Sequence, residues 1–378
     1  MILNFEFPRL KKIFITIPWF HPAYKAGGPV QSIANMVNEL REGYEFYIFT
    51  SNQDLDGLPL HITQTDDWVP YNANTSVWYS TTLNRSRNLT DEIEKIKPDC
   101  LYMVGLYDWH FTMVPLFFTK VPQKILSVRG MLHPGALGEK ALKKRLFLQM
   151  MKWFGLPKKC GFHVTDATEG AYVKAIFGQH ILLHEAVNFS RRMEVLQLPV
   201  KEPGSLRLVS IALLSAMKNI LPVLQTLEHC RGEILYDIYG PVKDIGYWEQ
   251  CLQQIKLLPA NVRVQYHKDV TPAEVPQKLS HAHVFILPSK SENFGHAIYE
   301  ALSAGLPVIT SDHTPWNELE AAKAGLNVKA DLEELKAGID FFAEMDNETF
   351  LQWHSGSLRY AAVHLDVEGL KGAYGKMF

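Results

Sequence analysis

The chain has 378 residues, of which 47% are hydrophobic and 21% are charged. This composition is typical of a folded globular protein and excludes a disordered, collagenous or integral membrane chain. Thirty-eight Lys and Arg residues against 40 Asp and Glu residues give a formal net charge of −2, so the chain as a whole has no attraction for nucleic acid or for an acidic membrane.

Short apolar runs rich in β-branched and aromatic residues alternate with stretches of helical period, which predicts parallel sheets covered by helices. In the first half, strands are predicted at 12–18, 45–51, 99–105, 124–130, 161–166 and 181–186, and a helix at 30–42. In the second half, strands are predicted at 206–212, 235–240, 262–267, 283–289 and 306–312, and helices at 222–231 and 297–305. The pattern therefore predicts two doubly wound α/β domains.

The join between the two series is predicted at 197–205, where Pro199, Pro203 and Gly204 interrupt both periodicities. Two such domains facing each other form a cleft, and ligands bind beyond the carboxyl ends of the strands. The four cysteines are widely spaced, which indicates reduced thiols rather than a zinc ribbon or a disulfide framework. The N-terminus lacks a secretory layout and no apolar run is long enough to span a bilayer, so the expected location is the cytoplasm.

The segment 288–312 carries the most informative pattern, PSKSENFGHAIYEALSAGLPVITSD. A predicted strand leads into a polar loop with Glu292, and Gly295 stands at the start of a predicted helix that contains Glu300. Free N–H groups and the helix dipole at such a start favour a phosphate group. Carboxylates beside it accept hydrogen bonds from sugar hydroxyls, although two glutamates near a helix start are also explained as solvated acids beside the dipole.

This run resembles the signature of family-4 glycosyltransferases, in which two glutamates are separated by seven residues. The matching positions are Glu292, Phe294, Gly295, Glu300, Ala301, Gly305, Pro307 and Val308. From about residue 12 to about residue 345 the chain is similar to the branch of that family that builds bacterial surface polysaccharides. The segments that carry this similarity are GGP at 27–29, SVRGMLHPGAL at 127–137 and IYGPVKDIGYWEQC at 238–251.

The resemblance implies the GT-B fold, an α/β fold with two Rossmann-like domains facing across a cleft and a C-terminal helix that crosses back to the first domain. The corresponding domains are an acceptor-side domain at 1–197, a nucleotide-sugar donor domain at 198–360 and the returning helix at 361–378. These limits are expectations.

The resemblance also implies roles for individual residues. Glu300 would hold the ribose hydroxyls of the donor, Glu292 the hydroxyls of the transferred sugar, and Lys218 the leaving diphosphate. Backbone contacts to the diphosphate would come from Phe294, Gly295 and His296. The donor site would be completed by Asn219 and Gly240.

One position departs from the family pattern, because Leu213 stands where the family usually has an arginine, five residues before Lys218. Another base, such as Arg129, Lys268 or Lys290, would have to supply that charge, or catalysis would be weaker. The side chain of Arg129 is expected to face the phosphates or the acceptor, or alternatively to pair with a carboxylate at a strand end.

Gly27 and Gly28 form a turn before the first predicted helix, where a backbone without side chains can approach a phosphate. Asp54-Leu55-Asp56 has the D-x-D spacing by which another glycosyltransferase fold holds a divalent metal. Its position beside Gly57 favours an ordinary turn. We therefore expect no essential metal and no cofactor beyond the nucleotide-diphosphate sugar that serves as donor.

The segment 139–159 carries seven Lys and Arg residues against Glu139, with Leu, Phe, Met and Trp at helical spacing. This composition favours a helix on a membrane surface, although a charged outer face over an ordinary core stripe has the same pattern. Peripheral contact with the inner membrane is therefore a further expectation.

The resemblance implies a retaining hexosyltransferase that acts on an oligosaccharide or polyprenyl-linked acceptor, and the net charge indicates that the chain does not bind nucleic acid. Two alternatives stay open: a nucleotide-sugar epimerase of the same fold, and a degenerate subunit that binds a nucleotide sugar without catalysis. The sequence does not identify the base, the sugar, the acceptor, the linkage or the oligomeric state.

Overall fold

The computed structural model describes residues 9–133, 137 and 141–378. They form two compact units. Unit 1 contains the described residues up to Ala23, then Ser32–Phe189 and Val367–Phe378, and unit 2 contains Tyr24–Gln31 and Ser190–Asp366. The limits predicted from the sequence, 1–197, 198–360 and 361–378, stay a prediction about separately folding domains.

Each unit is built on one sheet. The strands of unit 1 are β1 Lys11–Thr16, β2 Tyr44–Ser51, β3 Trp68–Asn72, β4 Thr75–Ser80, β5 Cys100–Val104, β6 Gln123–Ser127, β7 Gly161–Val164 and β8 Leu183–Glu185. The strands of unit 2 are β9 Ser205–Ile211, β10 Glu233–Tyr239, β11 Val262–Tyr266, β12 Val284–Leu287, β13 Val308–Ser311 and β14 Gly325–Val328.

The helices lie between these strands. They are α1 Gly28–Glu39, α2 Arg85–Ile96, α3 Val114–Phe118, α4 Ala141–Trp153, α5 Ala167–Phe177, α6 Ile220–Leu227, α7 Ile245–Ile255, α8 Val275–Leu279, α9 His296–Ala304, α10 Leu332–Ala343, α11 Asn347–His364 and α12 Val367–Met377. In the described part of the chain, none of them combines the length and the apolar character that a membrane span requires.

The sheet of unit 1 has the strand order β3-β4-β2-β1-β5-β6-β7-β8, and that of unit 2 the order β11-β10-β9-β12-β13-β14. Neighbouring strands are parallel throughout, except that β3 pairs with β4 in the antiparallel direction. The α/β prediction with two mostly parallel sheets is therefore confirmed, and every predicted strand overlaps an observed one. The pattern missed β3, β4 and β14, because Pro70 interrupts the first hairpin and β14 contains Gly325 and Asn327, which are residue types depleted in strands.

The core of unit 1 covers both faces of its sheet. In β1, Phe14 packs into one buried cluster, whereas Ile13 and Ile15 pack into the other, as the alternation of a strand requires. Helix α12 joins the second cluster through Tyr374 and Met377. The last helix of the chain therefore packs on unit 1, as the resemblance implies.

The segment predicted as the join is anchored to unit 2. Lys201 is 1% exposed, and its ammonium donates hydrogen bonds to the carbonyl oxygens of Glu202, Ala343 and Met345 at 2.8, 2.8 and 3.0 Å. Burial lowers the pKa of Lys201 to about 8. Because these acceptors include the end of α10, the lysine caps that helix and fixes the chain at this point.

Candidate functional site

The predicted donor residues lie at the carboxyl edge of the sheet of unit 2. Strand β12 pairs with β9 on one side and with β13 on the other, all parallel. The loops that follow these three strands therefore emerge at the same edge. Lys218 lies in the first of these loops along the chain, which follows β9, within a 3₁₀ turn at Ala216–Lys218. Glu292 lies in the second loop, which follows β12.

Lys218 and Glu292 form an ion pair at this edge. The ammonium nitrogen lies 2.5 Å from Oε1 of the carboxylate, and the two side chains are 21% and 11% exposed. The hydroxyl of Ser289 donates to the same carboxylate oxygen at 2.7 Å. The lysine predicted to hold a diphosphate and the glutamate predicted to hold a sugar are therefore neighbours, as the adjacent parts of a single ligand require.

Two further contacts hold the loops of this edge together. Asn219 has a left-handed backbone with φ 55°, and its buried side chain donates to the carbonyl oxygen of Pro288 at 3.0 Å. The backbone N–H of Lys290 donates to the carbonyl oxygen of Met217 at 2.9 Å. Asn219 was predicted as a donor-binding residue, and its observed contact positions the turn that carries Lys218.

Helix α9 begins directly after the second loop. Gly295 precedes it with φ +79°, and a Cβ at this position would lie 3.2 Å from both Ile298 and the indole nitrogen of Trp316. Only glycine combines this left-handed backbone with such close neighbours. Phe294 is buried beside it. The N-terminal N–H groups and the dipole of α9 make this edge suitable for an anion.

Glu300 lies one turn into α9. Burial raises the pKa of its carboxyl group to about 7, and the positive charge of Arg191 acts in the opposite direction. The segment that contains Arg191 runs alongside the helix. The hydroxyl of Ser190 lies 3.0 Å from Nδ1 of His296, and the backbone N–H of Met193 donates to Ser303 at 3.0 Å.

The glycine-rich turn belongs to unit 2. A Cβ on Gly28 would lie 3.3 Å from the ring of His296. The hydroxyl of Tyr24 donates to Asp269 at 2.8 Å, and the ammonium of Lys25 lies 3.6 Å from the same carboxylate oxygen. The hydrogen bond from Tyr24 is the main reason that the pKa of Asp269 is lowered. The turn at Gly27 and Gly28 is therefore brought beside the start of α9.

Gly240 is explained by the packing of strands. It follows β10 with φ +132°, and a Cβ there would lie 1.7 Å from the carbonyl oxygen of Ala212. Its N–H donates to the carbonyl of Lys268 at 2.6 Å, and its own carbonyl accepts from the hydroxyl of Tyr266 at 3.0 Å. Gly240 was predicted as part of the donor site, and its N–H and its carbonyl are both engaged within unit 2.

Arg129 lies in unit 1 and has neutral partners. Its guanidinium donates to Ser32 at 2.6 Å, to Tyr102 at 3.2 Å and to the side-chain oxygen of Asn188. The N–H of the next residue, Gly130, donates to the buried carboxylate of Glu169. The expected carboxylate partner of Arg129 is not among these contacts, and the other predicted site residues belong to unit 2.

In the described part of the chain, no three His, Cys, Asp or Glu side chains come together in a group able to hold a metal ion. Asp54 and Asp56 accept backbone N–H groups from Leu55 at 2.7 Å and from Leu58 at 3.1 Å. Both contacts lie within the tight turn at 54–58, so the D-x-D motif has the local geometry of a turn.

Several residues of the site were missed by the sequence patterns. These are Arg191 beside Glu300, Asp269 beside the glycine-rich turn, Ser289 on Glu292, and Trp316 on Phe294. Three of them, Arg191, Asp269 and Trp316, reach the site from other loops, so no short motif contains any of them together with its partner. Ser289 lies three residues before Glu292 in the predicted polar loop, and Trp316 follows a buried strand by five residues, so these two positions carried a local signal.

The family model described as "Glycosyl transferases group 1" matches residues 197–352. Among curated proteins, no sequence matches the chain.

Solved structures resemble the fold over nearly the whole chain. The sucrose-phosphate synthase of Thermosynechococcus elongatus has a TM-score of 0.74 at 16% identity, with 98% of each chain covered. Anabaena HepE in complex with UDP and glucose has a TM-score of 0.71 at 15% identity, with 98% of this chain and 99% of that chain covered. WaaG, a glycosyltransferase involved in lipopolysaccharide biosynthesis, has a TM-score of 0.66 at 13% identity, with 97% and 99% covered. The chain therefore has the GT-B fold of these glycosyltransferases, and its residues 197–352 match the model of the group 1 glycosyltransferase family.

Proposed function

We propose that this chain is a retaining glycosyltransferase that moves a sugar from a nucleoside diphosphate sugar to an oligosaccharide or lipid-linked acceptor. The observation that carries the proposal is the Lys218–Glu292 pair beside the start of α9, inside the matched domain. The pathway is the assembly of a bacterial surface polysaccharide at the cytoplasmic face of the membrane. Residues 198–360 serve the donor and residues 1–197 the acceptor.

Each donor group has a partner of suitable chemistry in unit 2. Glu300 accepts hydrogen bonds from the ribose hydroxyls, and Glu292 from the hydroxyls of the transferred sugar. Lys218 and the N-terminal N–H groups of α9 stabilise the diphosphate as it departs. The backbone at Phe294, Gly295 and His296 lines this part of the site.

Retention follows when the acceptor hydroxyl approaches the face of the sugar from which the diphosphate leaves. The leaving diphosphate then accepts the proton of the incoming hydroxyl, so no protein nucleophile is needed. We propose that the positive charge of Lys218 stabilises the leaving diphosphate, so that no metal ion is needed for this step. Transfer that is unchanged by EDTA would support this, and loss of transfer that returns with Mg²⁺ would contradict it.

The charge that the family arginine usually supplies has a candidate substitute. Leu213 occupies that position, and Lys290 lies exposed on the loop whose backbone is bonded to Met217. We propose that the ammonium of Lys290 swings onto the diphosphate when the donor binds. Lys290→Ala would then lower kcat/KM by about tenfold, since one exposed charge-assisted hydrogen bond is lost.

The donor base is proposed to be uracil, because HepE was crystallised with UDP and with UDP-glucose. A thermal-shift panel of UDP, GDP and ADP sugars tests this choice. Stabilisation by UDP sugars alone supports uracil as the base. Stabilisation by GDP or ADP sugars alone would change the proposed base but not the proposed mechanism.

The decisive experiment measures nucleotide release from the stabilising donor with and without an acceptor preparation. We expect release only with acceptor, together with a glycosylated product. Conversion of the donor sugar without acceptor would identify an epimerase. Binding of the donor without release under any acceptor condition would identify a binding subunit.

Membrane contact is proposed through α4. Leu142, Leu146 and Trp153 are 83%, 72% and 87% exposed, and their spacing of four and seven residues places them on one side of the helix. Lys143, Arg145 and Lys152 are exposed on the same helix. The opposite side is anchored by buried Leu148 and Met151. Of the predicted segment 139–159, Glu139 and Lys140 lie outside the described residues.

An exposed apolar side flanked by bases suits the interface of an anionic bilayer. Sedimentation with vesicles of phosphatidylglycerol and phosphatidylcholine tests this surface, with the double variant L146S/W153S compared to Leu257→Ser. Leu257 is 66% exposed in unit 2 and serves as the matched control. Loss of binding in the double variant alone supports the proposal, and equal sedimentation of all three proteins contradicts it.

A further inference from the structure

Trp316 lies directly behind the loop that precedes α9. It is 3% exposed, and its indole N–H donates to the carbonyl oxygen of Phe294 at 2.6 Å. The indole meets the ring of Phe294 edge to face, with ring centroids 5.1 Å apart and an interplanar angle of 84°. It also stacks on Tyr299 at 5.4 Å. The tryptophan is itself fixed, since its carbonyl accepts from the side chain of Asn327 at 2.7 Å.

The hydrogen bond from Trp316 fixes the plane of the Phe294–Gly295 peptide. This peptide is trans, so its C=O and its N–H point in opposite directions. With the carbonyl held against the indole, the N–H of Gly295 is directed away from Trp316. No acceptor among the described residues engages this N–H. The peptide therefore presents an oriented donor at the start of α9.

We propose that Trp316 is a positioning residue that aims the N–H of Gly295 at the donor diphosphate. This inference rests on the donor site of the proposed function. Trp316 acts through the peptide and does not touch the ligand. The positive end of the dipole of α9 lies at the same place, so the oriented peptide adds one N–H donor where an anion is already favoured.

Gly295 and Trp316 depend on each other in this arrangement. A Cβ on residue 295 would lie 3.2 Å from the indole nitrogen, and φ there is +79°. Glycine therefore permits the left-handed turn and the close approach of the indole together. A phenylalanine at position 316 would keep an aromatic ring against Phe294 and Tyr299 but would remove the N–H donor.

The first test compares Trp316→Phe with Trp248→Phe in the full chain. Trp248 is also buried in unit 2, 7% exposed, with its ring against Tyr266 at 4.5 Å, and it serves as the matched control. Affinity is measured by calorimetry for UDP, or for GDP or ADP if the panel selects that base. The corresponding nucleoside, which lacks phosphate, is measured as a competitor.

We expect Trp316→Phe to weaken nucleoside diphosphate binding by about tenfold and nucleoside binding by less than about twofold, because one oriented donor to a charged group is lost. The kcat/KM for the donor sugar falls by a similar factor. Trp248→Phe leaves both affinities unchanged. Equal losses for diphosphate and nucleoside, or no loss for either, would overturn the proposal.

A second measurement observes ligand binding to the wild-type chain. Glycine-selective ¹⁵N labelling reports the amide of Gly295, whose signal is assigned by its absence in Gly295→Ala. We expect a downfield shift of its amide proton when the nucleoside diphosphate binds, and none with the nucleoside. Diphosphate binding without this shift would overturn the role of Trp316 alone, whereas absence of any nucleotide binding would contradict the proposed function.

Discussion

The carboxyl edges of the two sheets satisfy their charged groups in different ways. In unit 2, Lys218 pairs with Glu292, while Glu300 is a partly buried acid whose pKa is raised to about 7. In unit 1, Arg129 donates to neutral groups, among them Ser32 and Tyr102, which are 1% and 0% exposed. At the edge of unit 2, charged side chains interact with each other. At the edge of unit 1, the charged Arg129 donates hydrogen bonds to buried neutral acceptors.

This difference separates a binding edge from a structural one. An ammonium has three N–H donors, so Lys218 can keep Glu292 and still donate to a phosphate. Removing Arg129, in contrast, breaks its hydrogen bonds to buried polar groups, which costs stability. We infer that unit 2 carries the charges that act on the ligand, whereas Arg129 maintains the loop of unit 1. The experiments below test this distinction.

The largest effect is expected from Lys218→Ala and Glu300→Ala. Each removes a group that the proposed mechanism places on the donor, and kcat/KM is expected to fall by about a thousandfold, roughly 4 kcal/mol. The thermal midpoint changes little, because Lys218 is partly exposed. Lys256→Ala, an exposed lysine after α7, is the control. Wild-type activity in either site variant would refute the assignment of unit 2 as the charged, ligand-binding edge.

The next largest effect is expected on stability, at Gly240. This residue lies in unit 2, but we expect it to have a structural role, like Arg129 in unit 1. A Cβ at this position would lie 1.7 Å from the carbonyl of Ala212. Gly240→Ala is therefore expected to lower the free energy of unfolding by about 3 kcal/mol. Gly57→Ala, at φ +79° with no atom within 4 Å, provides the control for backbone strain alone, about 1 kcal/mol. Urea denaturation measures both, and equal losses would show that the contact with Ala212 costs nothing.

Arg129→Leu tests the structural edge itself. We expect a loss of about 2 kcal/mol in the free energy of unfolding, because Arg129 donates a hydrogen bond to each of the buried residues Ser32 and Asn188 and both bonds are lost. Transfer activity well below the thermal midpoint is expected to stay within about fivefold of wild type. Arg41→Leu, at an exposed position of unit 1, is the control. Unchanged stability with activity reduced more than a hundredfold would instead place Arg129 in the catalytic site.

The fold was largely predictable, because the apolar runs of a parallel sheet are local signals. Each predicted strand coincides with an observed one, and the loop from Glu292 into the helix at Gly295 was located from its own sequence. Strands β3 and β4 were missed, since Pro70 and the asparagines around their turn obscure a half-exposed hairpin.

The contacts that give each side chain its role were less predictable, because they join distant parts of the chain. Lys201 was read as part of an interdomain stretch, yet three backbone carbonyls bury it against the end of α10. Trp316 and Phe294 are 22 residues apart. Arg129 and Asn188 are 59 residues apart. Such partners are fixed by sheet topology rather than by local spacing.

The smallest effect is a pH dependence that arises from Glu300. Burial raises the pKa of this carboxyl group to about 7, so it is protonated in half of the free molecules near neutral pH. The ionised carboxylate accepts hydrogen bonds from both ribose hydroxyls more strongly than the protonated acid does. Affinity for the nucleoside diphosphate is therefore expected to rise by about tenfold between pH 6 and pH 8, measured by calorimetry.

Glu300→Gln isolates this contribution. Titration of the ligand phosphate affects both proteins alike, so the variant is expected to bind more weakly at pH 8 and to show a much flatter pH profile. The pH dependence of stability tests the raised pKa independently. The pKa of Glu300 in the folded protein lies above its ordinary value of 4.5, so ionisation of this carboxyl group makes the fold less stable as pH rises from about 4.5 to about 7. The thermal midpoint of Glu300→Gln relative to wild type should therefore increase over this interval. If the two proteins share one pH profile for binding and for stability, Glu300 is ionised throughout, and the ligand-binding edge of unit 2 then carries a permanent negative charge.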